Sequence, residues 1–148
     1  MDALKTLGSG LAGSLVLTGI HESMKRVIPN APRMDHIGMQ VLKKIKIAAG
    51  MDGTDDETLY KESMVGDLAL NTAFYSMVGV GKHAWLRGLA LGAGAGIAAV
   101  FLPKWMDIDD SGANRTNATA AMTIGLYSLA GLAAAGANSI LRIGENNN

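Results

Sequence analysis

MVGDLALNTAFYSMVGVG, residues 64–81, is the stretch whose reading decides the fold. It is apolar enough to enter a bilayer, yet Asp67, Asn71 and Tyr75 recur in it at every fourth position. On a helix that spacing stacks the three side chains on one face, turn above turn. A carboxylate and a carboxamide are costly in hydrocarbon, so such a face has to look into a protein interior or a wet cavity. A helix of this kind needs neighbours, and the rest of the chain supplies them.

Three further runs read as membrane helices. Residues 4–28 start as an apolar run and continue through HESMKRVI until Pro29 stops them, which gives them spanning length. Residues 84–102 have Trp85 at one end and Pro103, Lys104 and Trp105 just past the other, and paired tryptophans suit the two interfacial belts. Within that run Gly88, Gly92 and Gly96 form a smooth strip for close helix packing. Residues 118–143 carry Thr119, Thr123 and Tyr127, again at every fourth position.

Residues 33–49 read differently. Met34, Ile37, Val41, Leu42 and Ile45 fall on one helical side, with Lys43, Lys44 and Lys46 on or near the other. Such a helix is too charged to span and lies flat at the interface, where Arg33, Lys43, Lys44 and Lys46 would meet anionic lipid headgroups. The competing reading is an amphipathic helix packed on a protein partner. Residues 51–62, MDGTDDETLYKE, read as an acidic solvated loop. The expected fold is therefore all-α: one polytopic membrane domain over residues 1–148, with four transmembrane helices and one interfacial helix after the first.

Composition fits this reading. Hydrophobic residues make up 49% of the chain but aromatic ones only 5%, so the apolar content is mostly small and aliphatic. The 19 glycines stand beside only 3 prolines, which suits closely packed membrane helices better than disorder. Net charge is zero, so no overall field draws the chain to nucleic acid. Cysteine is absent, which removes disulfides, thiolate metal sites and thiol nucleophiles. A soluble Ala/Gly-rich bundle would need more polar sequence than remains to cover its surface.

Lys25, Arg26, Arg33, Lys43, Lys44 and Lys46 concentrate between the first two spans. The positive-inside rule places that connection in the cytoplasm and both termini outside. Polar residues on three helices then share a depth: Glu22 with Asp67 and Thr119, Thr18 with Asn71 and Thr123, Ser14 with Tyr75 and Tyr127. Facing inward, they would line a polar pocket in the cytoplasmic half of a four-helix bundle.

His21, Glu22 and Asp67 are the residues that could hold a divalent cation or relay a proton. Adjacent His21 and Glu22 point about 100° apart, so an ion-pair cluster that fixes the bundle is the competing reading. No other cofactor is expected. DIDDSG, residues 107–112, matches the first half of a calcium loop, but Ala118 stands where the bidentate glutamate is needed.

The combination of His21–Glu22, PNAPRMD at 29–35, Gly38, Gly66–Asp67, Asn71, Tyr75, Arg87–Gly88 and Thr123 with Tyr127 resembles, in order and spacing, a group of short bacterial four-helix inner-membrane proteins. The resemblance implies a membrane location and no particular activity. The function expected is a structural or accessory subunit of a membrane assembly, with lipid, a second copy or a larger complex as partner. Two other classes compete: transport of a small solute, ion or proton through the polar pocket, and a membrane enzyme acting on lipid through Glu22, His21 and Asp67.

Overall fold

The computed structural model describes residues 2–51 and 53–146. Among them lie six helices: α1 (Asp2–Val27), α2 (Met34–Ala48), α3 (Asp56–Ser76), α4 (Ala84–Trp105), α5 (Ser111–Asn114) and α6 (Asn117–Asn146). Three are long and apolar enough to cross a membrane, over Ala3–Val27, Ala84–Trp105 and Asn117–Leu141. Their outer faces are apolar as well: Leu4, Leu7, Leu11 and Leu15 make an exposed stripe on α1, and Leu86, Ile97 and Phe101 stand out from α4. Trp85 and Trp105 are exposed at opposite ends of α4. An all-α chain with this much exposed apolar surface is consistent with solvation by lipid.

Small residues set how closely the long helices approach. A Cβ built on Gly96 of α4 would come within 2.6 Å of Ile124 Cα, and one on Gly92 within 2.7 Å of Ser128 Cα. Gly88 meets the backbone of Gly131 just as closely. The pairs run in opposite senses, so α4 and α6 are antiparallel with their backbones nearly touching. Gly10 packs in the same way on the backbone of α3 at Thr72 and Ser76, and Gly13 on Ala130 of α6. The long helices therefore follow one another as α3, α1, α6, α4, and the two end members, α3 and α4, meet only sparsely.

Helix α3 starts eight residues before the apolar stretch and stops before its end. Residues 56–62, expected in a loop, form its first two turns. Asp55 caps them by accepting from the Thr58 N–H at 3.0 Å, Lys61 pairs with Glu57 at 2.5 Å, and Leu59 is buried. Asp52 lies outside the described residues. At the other end Gly79 and Gly81 take φ of 61° and 119°, a left-handed turn that ends the helix and leads into α4. Arg87 and Asn138 donate to the carbonyls of Val80 and Gly79 and hold that turn.

Helix α2 lies across the ends of α3 and α4. Lys46 pairs with Glu62 of α3, and Lys44 donates to the carbonyls of Met106 and Asp107 at 2.9 and 2.7 Å. Gly112 of α5 accepts from the Arg33 N–H at 2.7 Å, and a side chain there would collide with Arg33 and Ile37. One buried cluster, with Tyr75, Val78, Leu126 and Ala130, fills the middle of the bundle. A second, with Ile37, Val100, Ile108 and Ala113, seats α2 on α4 and α5.

Candidate functional site

Polar groups collect where α1 hands over to α2. Pro29 and Pro32 fold the chain back sharply, with Asn30 at φ 61°. His21 stands behind that turn: its Nε2 donates to the Pro32 carbonyl at 3.0 Å and lies 3.3 Å from the Met34 amide. The turn brings Asp35, in the first turn of α2, against α1. Arg33 grips the Asp35 carboxylate with two parallel hydrogen bonds of 3.1 Å, and Lys25 reaches it at 3.3 Å. Lys25 also pairs with Glu22 at 2.6 Å and donates to the Tyr60 hydroxyl of α3 at 3.3 Å.

The network is charge-balanced, with Glu22 and Asp35 set against Lys25 and Arg33. Burial pushes the Asp35 carboxyl up, but the hydrogen bonds from Arg33 and the charges of Lys25 and Arg33 outweigh it and hold the group at about 2. The Arg33 guanidinium is raised by its hydrogen bonds to the same carboxylate. Both carboxylates are occupied by cations, an arrangement suited to fixing three helices together. Among the described residues no three His, Asp or Glu side chains are grouped to hold a metal ion, and Glu22 is turned toward Lys25 and Tyr60.

The other expected site residues fall into two sets. Ser14, Tyr75, Thr119 and Thr123 are fully buried and each binds a carbonyl. Ser14 donates to Leu68 at 3.0 Å, Tyr75 to Tyr127 at 2.9 Å, Thr119 to Asn30 at 2.9 Å and Thr123 to Thr119 at 2.9 Å. Thr18, His21, Asp67, Asn71 and Tyr127 instead line one small cavity of about 20 Å³, room for a single water. Tyr75 stays near the level of Ser14, since a Cβ on Gly13 would lie 3.4 Å from Tyr75 Cβ, whereas Glu22 reaches Lys25 and Tyr60 rather than Asp67. α3 starts early enough to carry its polar first turns beside Glu22 and Lys25.

Arg33, Lys44 and Lys46, expected at lipid headgroups, hold Asp35, the end of α4 and Glu62 respectively, while Lys43 is exposed. In the stretch like a calcium loop, Asp109 accepts from the Ser111 amide and hydroxyl and exchanges hydrogen bonds with Gln40. It is a dock for α2. Two residues central to the network, Asp35 and Tyr60, carry no weight in the sequence reading of the pocket. Tyr60 had a signal, since it lies two turns before Asp67 on the same helical face.

Asp67 and Tyr127 also form the back of a second space. Between α3 and α4 a cleft of about 310 Å³ opens sideways, roofed by the apolar face of α2. Asp67, Tyr127, Ser63 and Met34 line both this cleft and the small polar cavity, and so form the partition between them.

No family model matches the chain, and no curated protein or solved structure is similar to it. The residues that carry the sequence resemblance find their physical roles in this geometry: His21 and PNAPRMD build the α1–α2 clasp, and Arg87 holds the α3–α4 turn.

Proposed function

We propose that the chain is an integral protein of the bacterial inner membrane with four spans, α1, α3, α4 and α6, and with α2 along the cytoplasmic surface. It serves as a structural or accessory component of a membrane assembly. α3 supports the fourth span because it has 21 residues, about 31 Å, and lies antiparallel to α1 from Ser76 beside Gly10 to Tyr60 beside Lys25. The observation that carries the accessory role is the use of polar side chains: most of those on α1, α3 and α6 bind carbonyls or each other across helices. Such bonds specify a packing and leave few groups for passage or catalysis.

Reconstitution tests this. Ser14→Ala and Lys25→Met should each lower the unfolding temperature in detergent, while wild-type proteoliposomes leak protons and small ions no faster than empty ones. A wild-type leak abolished by Lys25→Met at unchanged stability would overturn the accessory role in favour of transport. Lipid turnover lost in Glu22→Gln or His21→Asn would overturn it in favour of an enzyme.

A further inference from the structure

Thr18, Asp67, Asn71 and Tyr127 line the small polar cavity without a side-chain hydrogen bond to another described residue, and of these Asp67 and Tyr127 also face the α3–α4 cleft. Ser14, Tyr75, Thr119 and Thr123 each have a protein acceptor, whereas neither the Asp67 carboxyl nor the Tyr127 hydroxyl has a hydrogen-bond partner among the described residues. Both stand at the back of the α3–α4 cleft. The rest of the lining is mostly apolar, with Ile37, Val41 and Ile45 of α2 above and Ala98 and Leu102 of α4 on one side, and its other polar groups are taken, Glu62 by Lys46 and Ser63 by the Tyr60 carbonyl. Leu70 and Met106, at the rim, are exposed.

A carboxyl and a phenol left open in such a cleft are costly unless something that enters it satisfies them. The charge at the back decides what that is. Asp67 disfavours a phosphate or a carboxylate, and the apolar walls disfavour an ammonium ion. A hydroxyl fits both groups at once, because it donates one hydrogen bond, here to Asp67, and accepts another, here from Tyr127. The volume, about 310 Å³, lies at the small end of ligand sites, room for one short apolar body.

We propose that the α3–α4 cleft binds an uncharged, hydroxyl-bearing amphiphile drawn from the membrane, with its hydroxyl between Asp67 and Tyr127 and its apolar part under α2. The proposal rests on the four-span reading, because it needs the open side of the cleft to face lipid.

A photoreactive decanol carrying a diazirine tests it on the full chain in zwitterionic nanodiscs, with labelled peptides mapped. Labelling should concentrate on α2 and on the second half of α4, and 1-decanol should suppress it far better than decyl methyl ether, which cannot donate, or decanoate. Asp67→Leu should weaken labelling about tenfold, the worth of one hydrogen bond to a carboxylate, and Asp67→Asn, which keeps an acceptor, should weaken it less. Asn also keeps the test open if Leu disturbs the fold. Equal competition by the ether or by decanoate would overturn the proposal. So would labelling spread evenly over the helices, or labelling that vanishes as cross-linked dimers form, which would mean that a second copy covers the cleft. Failure of the four-span reading looks different: the apolar stripe of α1 would be labelled, but Leu70 and the rest of α3 would not.

Discussion

Asp35 shows what one carboxylate does in this fold. Its side chain is 3% exposed, and two cations from different elements converge on it. Because its pKa falls from 3.8 to about 2 on folding, the native state gains stability from the ionised group above pH 4. That gain, on the order of 2 kcal/mol, is lost as pH falls from about 4 to 2. Unfolding in detergent followed across this range should show the loss in the wild type and a flatter profile in Asp35→Asn. Lys25 is the hinge of the same network, since it is the cation closest to Glu22 and one of two on Asp35. Lys25→Met should cost about 3 kcal/mol, the low end for breaking a buried pair, because Arg33 still covers Asp35. Adding Glu22→Gln should restore part of that loss, and a double-mutant cycle in urea would measure the coupling.

At the level of elements, helix contacts in this chain depend on missing side chains. Along α4, Gly88, Gly92 and Gly96 meet the α6 backbone, whereas Gly94 between them faces open space. Gly92→Val should push α4 from α6 and lower stability by about 1–3 kcal/mol or more, while Gly94→Ala should be neutral or slightly stabilising. Thermal unfolding of the two variants side by side separates backbone contact from glycine content. The same elements show what was legible in the sequence. α1, α4 and α6 are each apolar enough to be read by composition alone, and the faces Ser14–Thr18 and Thr119–Thr123 point inward as their spacing requires. The start of α3 was not legible, because residues 56–62 look like a loop until Asp55 caps them and burial of Leu59 fixes them. Asp35 was hidden for a different reason. It reads as one more charge on an amphipathic helix until the Pro29–Pro32 turn folds α2 onto α1, and a turn's direction is a tertiary property.

For the whole molecule the packing bears directly on the number of spans. Three helices qualify by composition, an odd number, which would leave the two termini on opposite sides. α3 fails by composition because its first turns hold Asp56, Glu57, Lys61 and Glu62. Those turns, however, lie under α2 and beside Lys25, at the end of the bundle where charge already gathers. The segment beyond them, from Ser63 to Ser76, runs along α1 as far as Gly10 and returns through Gly79 and Gly81 into α4. On the four-span proposal α3 crosses the bilayer beside α1, and the number of spans is even. Reporters fused separately to the two ends should therefore report the same compartment, outside the cytoplasm by the positive charge of residues 25–46. Reporters in opposite compartments would remove α3 from the membrane, and with it the lipid-facing side of the α3–α4 cleft.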